Sequence, residues 1–265
     1  MAGMRASFSR LLHRLLPARL MNLQAAIRHS LAGITHEQDL RVFAALAGLE
    51  LRIADVGAHH GEAAIAMLAQ APDAAITAFE PNTDHHLALR FLARRYRDRF
   101  RFEPVALGEH DTRSELFIPV HEHIRHDALA SLRRSEFEQD HVRENVYRHS
   151  GRRQEIRFRR LAVQVRRLDD FQLSPDVIKI DVEGSEAAVL QGSRQTLERC
   201  APMLIVEFNH HDEFLPLLKS LDYRCYSWDA QRQSLMDFDF TRPALNLIAL
   251  SPRTPAGIRQ RLSLR

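Results

Sequence analysis

The sequence predicts an α/β fold: a mostly parallel sheet covered on both faces and closed at one edge by an antiparallel hairpin. Three patterns carry that expectation. From residue 51 onward, short apolar runs alternate with amphipathic stretches. The runs are apolar at nearly every position, as strands buried on both faces must be. Near the C-terminus two strand-like segments follow one another with no helix-like stretch between them. At 265 residues, 45% of them apolar, the chain is long enough for one such domain and short for two.

Residues 1–49 read as a basic, amphipathic helical extension. Phe8, Leu11, Leu12 and Leu15 recur at helical spacing with Arg10 and Arg14 between them, and Pro17 ends that helix. A second helix is expected from about Arg19 to His29 and a third near residues 36–48. A leader of this kind serves as a peripheral membrane anchor, an organellar presequence, or a pair of helices packed on the domain.

The alternation then runs LRIADVG with GEAAIAMLAQA, AAITAFE with NTDHHLALRFLARRY, DVIKIDVEG with SEAAVLQGSRQTLER, and PMLIVEFN with HDEFLPLLKSL. Right-handed crossovers between such strands give a parallel sheet. YRCYSWD and ALNLIALS form the closing hairpin. Residues 114–170 interrupt the series. ELFIPV reads as a strand, EIRFRRLAVQVRRL as one or two more with an irregularity at Arg159–Arg160, and residues near 133–148 as a helix. An insertion of this kind beside a sheet edge shapes a pocket. Residues 251–265 read as a basic tail.

Charge narrows the function. The chain carries 37 basic and 34 acidic residues, but five Arg lie in residues 1–30 and four in 251–265, with no acid in either stretch. Residues 31–250 therefore carry −6, which argues against nucleic acid as a partner. Only Lys179 and Lys219 are lysines, a bias read as codon usage. Two cysteines, Cys200 and Cys225, build neither a disulfide framework nor a zinc cluster, so a reducing cytoplasm is expected. No run reaches the 18 apolar residues of a spanning helix.

In an open parallel sheet, ligands bind beyond the carboxyl ends of the strands where the topology reverses. The turn after the first strand reads Asp55-Val56-Gly57-Ala58-His59-His60-Gly61, with two glycines that allow close backbone approach. It lacks the GxGxxG spacing of dinucleotide enzymes. The second strand ends in Phe79-Glu80-Pro81-Asn82, and an ionised Glu80 offers two oxygens to a ribose diol. Asp55, Glu80, Asp181 and Glu183 are all expected at one rim. Such acids repel a pyrophosphate and suit a cationic cofactor.

RIADVGAHHGEAAIAML, AFEPNTDHHLAL, PVALGEHD, LDD and above all VIKIDVEGSEAAVLQG resemble the S-adenosylmethionine-dependent methyltransferases of the FkbM type. The likeness covers most of residues 50–250. It implies a Rossmann-like class I methyltransferase fold with seven strands ordered 3-2-1-4-5-7-6, which agrees with the terminal hairpin. It also implies an O-methyltransferase acting on a hydroxyl of a glycan, glycolipid or related small metabolite. Position by position, Asp55, Gly57, Ala58, His59 and Gly61 resemble the cofactor turn. Glu80, with Pro81, resembles the ribose-binding acid. Val105, Ala106 and Leu107 correspond to the adenine side, and Asp181 to the acid near the transferable methyl. His59-His60 departs from the family, where Asn and an apolar residue are common.

Methyl transfer to an alcohol needs alignment of acceptor, methyl and sulfur, and a base for the acceptor proton. Candidate bases are Asp181, Glu183, His210 and the histidines of the first turn. Of these, Asp181 is assigned to positioning and His210 to proton removal. Asp181, Glu207 and Asn209 are placed like the divalent-ion ligands of catechol-type O-methyltransferases, so Mg²⁺ is a further expectation to weigh. Against it, Glu207 and Asn209 serve equally to bind substrate or cap the next helix. The basic leader makes an acceptor at the inner face of a membrane plausible. The rival readings are a nicotinamide-dependent oxidoreductase and a non-catalytic adaptor that uses its basic ends to bind a membrane or partner.

Overall fold

The computed structural model describes residues 18–32, 38–122, 124–148 and 155–263. The helix expected over residues 7–16 lies outside them. Helix α1 (Ala18–Ala32) and the short α2 (Val42–Ala45) precede the sheet. The first half then runs β1 (Arg52–Val56), α3 (Glu62–Gln70), β2 (Ala75–Phe79), α4 (His86–Tyr96) and β3 (Phe100–Glu103). The insertion contributes β4 (Ala106–Leu107), β5 (Thr112–His121), β6 (Ile124–Arg125), α5 (Asp140–Tyr147) and β7 (Arg157–Arg166). The second half runs β8 (Val177–Ile180), α6 (Glu186–Gln191), α7 (Arg194–Cys200), β9 (Met203–Glu207) and α8 (His211–Ser220). Strands β10 (Arg224–Asp229), β11 (Ser234–Asp237) and β12 (Asn246–Leu250) and helix α9 (Ala256–Arg261) close the chain.

The main sheet has the order β11-β10-β12-β9-β8-β1-β2-β3. Strands β3, β2, β1, β8 and β9 are parallel, and β12 and β10 pair antiparallel at the far side. This is the expected order with an eighth strand added. Strand β11, within the segment read only as helix-free, folds back antiparallel on β10 and makes the outer edge. Ser234 to Asp237 carry two apolar side chains, Leu235 and Met236, which leaves too short an alternation to register as a strand.

The unbroken apolar character of the strands follows from burial on both faces. Ile53, Val177, Met203, Ile205, Ile248 and Leu250 enter the core beneath α3 and α4. Their neighbours Ala54, Ile178, Leu204, Val206 and Leu247 enter the opposite core beneath α6, α7 and α8. The described parts of both terminal segments contribute to the first core. Ala26 of α1 is fully buried, and the segment read as a basic tail folds as α9 with Ile258 and Leu262 inside.

The insertion forms a second sheet, β4-β7-β5-β6, with its own small core of Ala106, Leu116, Ile118, Val163 and Val165. The irregularity expected at Arg159–Arg160 is absent. Register is continuous through Phe117↔Arg160 and Ile118↔Arg159, so β7 is one strand. The two arginines simply fall on opposite faces. Arg160 points to solvent, while Arg159 sits on the inward face and ion-pairs with Asp84. Arg19 of α1 and Arg125 of β6 reach the same carboxylate, at 3.4 and 2.7 Å. Burial works to raise Asp84, but the guanidiniums, Arg159 foremost, hold it below the ordinary carboxylate range. One buried carboxylate thus ties the leader helix and the insertion to the end of β2.

Candidate active site

The carboxyl ends of β1, β2 and β8 meet where the chain switches from one side of the sheet to the other. A cavity of about 970 Å³, its open mouth included, lies there. Asp55, fully buried near the end of β1, stands opposite Lys179 in the β1–β8 register. Beyond it the backbone turns sharply, and the amides of Gly57 and Ala58 both donate to the Phe79 carbonyl, at 3.0 and 3.1 Å. Gly57 (φ +83°) and Gly61 (φ +91°) take conformations that side chains resist. A Cβ on Gly61 would lie 2.2 Å from Leu92 Cδ1, so this glycine lets α4 pack directly on the turn.

Glu80 is held by two backbone donors, His59 N–H to Oε2 at 2.8 Å and Asn82 N–H to Oε1 at 2.7 Å. Each oxygen keeps a further lone pair. Burial pushes the Glu80 carboxyl up to about 8, against the pull of the Asn82 and His59 amides. Gly57, Ala58, His59, Glu80 and Pro81 all line the cavity. On the adjacent wall Ala106 and Leu107 face it, but Val105 does not. Val105 precedes β4, where the strand's alternation has yet to begin, and packs into the core beneath α6–α8. Leu116, Asp127, Ala130 and Leu132 of the insertion complete that wall.

The third wall is Asp181, Val182 and Glu183, after β8. Lys179, 1% exposed, reaches Asp181 Oδ2 with its Nζ at 2.9 Å. Glu183 adopts φ +55°, and its carbonyl accepts from Ser131 Oγ at 2.7 Å. Glu186 ties the turn from inside by accepting from the amides of Val182 and Gly184, both at 3.2 Å. Burial, then the neighbouring Asp181 charge, raises the Glu183 carboxyl to about 8 and the Glu207 carboxyl to about 11. Asp181, Glu183 and Glu207 each bring a carboxylate oxygen within 4.8 Å of the others. Asn209 is not in this group: its Nδ2 donates to Glu207 Oε1 at 2.6 Å.

His210, expected as the base, does not line the cavity. Its Nε2 lies 2.9 Å from Glu136 Oε2 and 3.1 Å from Gln139 Nε2, side chains of the insertion. Glu136 also covers the Gly184 turn, where a Cβ would lie 2.4 Å from its Cδ. The position of His210 after β9 was legible in sequence, but the insertion segment that captures it carries no pattern revealing such a contact. Lys179 is the converse case. The sequence pattern gives it no role, yet it is a buried cation beside the cavity. Its signal was there: a chain that otherwise uses arginine places one of two lysines inside the fourth-strand motif.

The histidine doublet makes a cluster of its own. His59 and His60 bring their Nδ1 atoms within 2.7 Å, and the His59 and His85 rings lie 4.0 Å apart. Burial lowers His60 and His85 to about 3 and His59 well below its ordinary range, so the three rings are neutral.

The strand order, the glycine turn after β1, the acid after β2 and the acids after β8 define a Rossmann-like class I methyltransferase fold. The chain belongs to the methyltransferase FkbM domain family, whose model matches residues 55–225. An FkbM methyltransferase from Methylobacillus flagellatus KT is similar in structure at 17% identity and a TM-score of 0.47, over 78% of this chain and 47% of that one. This chain thus spans about half that protein's length. A putative O-methyltransferase from Klebsiella pneumoniae aligns at 11% identity and a TM-score of 0.43, covering 92% and 94% of the two chains. A precorrin-6y C5,15-methyltransferase from Geobacter metallireducens GS-15 aligns at 11% identity and 0.42, covering 82% and 89%. No curated protein matches the chain in sequence. Among the described residues no helix is long and apolar enough to cross a membrane.

Proposed function

We propose that this protein transfers the methyl group of S-adenosylmethionine to a hydroxyl of a glycan, glycolipid or related small metabolite. The residues present suit the cofactor. Glu80 keeps lone pairs for a ribose diol, Ala106 and Leu107 offer an apolar wall to a base, and the Asp181–Glu183 turn complements a positive charge. When bound, the sulfonium supplies an electrophilic methyl carbon and a neutral leaving group.

Everything else falls to the chain's own side chains. Lys179 fixes Asp181 by their ion pair, so this carboxylate orients the acceptor hydroxyl. Glu183 takes the hydroxyl proton. Its place on the cavity wall beside Asp181 is the observation that carries this reading, and burial raises its carboxyl toward the range in which a base works best. Glu207, raised further, stays protonated behind them. The insertion wall of Leu116, Ala130 and Leu132 shapes the acceptor's apolar contacts.

A second reading has a specific observation behind it. The oxygens of Asp181, Glu183 and Glu207 lie within 4.8 Å of one another, a hard-ligand set suited to Mg²⁺. Transfer in chelated enzyme, with and without added Mg²⁺, separates the two.

The direct test incubates the full chain with methyl-labelled S-adenosylmethionine and a panel of saccharide alcohols matched with their amino-sugar counterparts. Label on oxygen supports the proposal. Label confined to nitrogen, or no turnover together with no binding of S-adenosylhomocysteine, overturns it. Comparing glycans and metabolites from a deletion strain then identifies the acceptor by the loss of one CH₂.

A further inference from the structure

We propose that His29, His60 and Glu62 form a binding site for a zinc-class divalent cation that fastens helix α1 to the cofactor turn. The three residues come from two places: His29 from the last turn of α1, His60 and Glu62 from the turn and the first residue of α3. Each brings one ligand-capable atom within 4.8 Å of the others. His29 Nδ1 lies 3.5 Å and His60 Nε2 3.8 Å from Glu62 Oε2. Those separations are too long for hydrogen bonds. They are close to the edge of about 3.3 Å between ligands of a tetrahedral zinc ion with bonds of about 2.0–2.1 Å.

A second observation points to a ligand. His29 Nδ1 and His60 Nε2 are both shut off from solvent and, among the described residues, neither has a hydrogen-bond partner. Buried ring nitrogens left in that state are costly unless something occupies the space they face. The other nitrogen of His60 is already engaged, Nδ1 lying 2.7 Å from His59 Nδ1. A bond donated from His60 Nδ1–H to His59 leaves the His60 Nε2 lone pair aimed at Glu62, the orientation that a second ligand shell imposes on metal-binding histidines. Two imidazoles and a carboxylate suit zinc and leave one position for water.

The neighbouring set, His59, His60 and His85, competes for the same ion and fits it less well. Both ring nitrogens of His85 already face amide groups, Nδ1 at 2.8 Å from Asn22 Nδ2 and Nε2 at 3.2 Å from Asn82 Nδ2. Of the His59 nitrogens only Nε2 is left without a partner among the described residues, its Nδ1 being engaged by His60.

The test is zinc titration of the chelator-stripped full chain by competition with a chromophoric chelator, with the electronic spectrum of a cobalt-loaded sample as a second readout. The expected result is one equivalent of zinc held in the micromolar range or tighter and a tetrahedral cobalt spectrum. His29→Gln and Glu62→Gln should each weaken zinc by about tenfold or more, whereas His85→Gln should leave it within about threefold. Far-ultraviolet circular dichroism confirms that His29→Gln, a change near a helix end, stays folded. No stoichiometric zinc, zinc affinity unmoved by His29→Gln and Glu62→Gln, or a site lost with His85 rather than His29 each overturns the proposal. All three readouts are independent of methyl transfer.

Discussion

A side-chain carbon on Gly57 would lie 1.8 Å from the carbonyl oxygen of Asp181. The glycine after β1 and the acid after β8 are therefore packed backbone to backbone at the ends of these strands. Gly57→Ala must push these strands apart as well as adopt a φ of +83°. It should destabilise the protein by about 2 kcal/mol or more and weaken S-adenosylhomocysteine binding. The control is Gly257→Ala, whose new Cβ meets nothing closer than Leu49 Cδ2 at 3.5 Å, on a helix where alanine is favoured. Urea unfolding and calorimetry of both variants check the contrast.

Glu80 predicts a pH dependence of cofactor binding. A diol donates two hydroxyls and is best met by an ionised carboxylate. With its carboxyl near 8, Glu80 is largely protonated at pH 6.5 and largely ionised at pH 9. Affinity for S-adenosylhomocysteine should rise over that range and level off above it. Glu80→Gln should bind weakly with a flat profile. A wild-type profile that falls with pH would sink the ribose assignment.

Glu183 predicts a kinetic signature. If it takes the acceptor proton, kcat should climb with pH as its carboxyl, near 8, ionises. Glu183→Gln should cost about 10²-fold or more in kcat, abolish the rise and leave S-adenosylhomocysteine affinity within a few-fold. The comparison with His210→Gln is decisive. Because His210 is held by Glu136 and Gln139 outside the cavity, its loss should leave the pH profile unchanged.

What could be read in advance follows a physical division. Strands buried on both faces need long apolar runs, so Ile53 to Val56, Val177 to Ile180 and Met203 to Val206 were legible, and with them the strand ends that place Asp55, Glu80 and Asp181. Gly57 and Gly61 were legible because close approach has a residue requirement. Contacts made by the insertion were not. Glu136 reaches His210 across 74 residues, and Arg159 reaches Asp84 across 75, through charged side chains with no periodicity to announce them. The same holds for His29. Its partners His60 and Glu62 are set by how α1 packs on α3, a tertiary fact that no local pattern contains.

Stability of the metal-free, cofactor-free protein should pass through a maximum between about pH 4.5 and 6.5. Glu80 and Glu183 are raised in the fold from 4.5 to about 8, and Glu207 to about 11. Above pH 4.5 the folded state therefore holds protons that the unfolded chain has released, and stability falls as pH rises. His60 and His85 are lowered from 6.5 to about 3, and His59 moves the same way. Below pH 6.5 the unfolded chain takes up protons that these buried rings refuse, so stability falls as pH drops. Each group contributes a slope of at most about 1.4 kcal/mol per pH unit. Between 4.5 and 6.5 the two sets oppose one another; outside that window only one acts. Thermal unfolding followed by circular dichroism from pH 4 to 9 measures the curve. Glu80→Gln should flatten only the alkaline limb and His85→Asn only the acid limb. A wild-type curve that rises steadily through pH 8 would mean that the carboxyls at this sheet edge are not held protonated by burial.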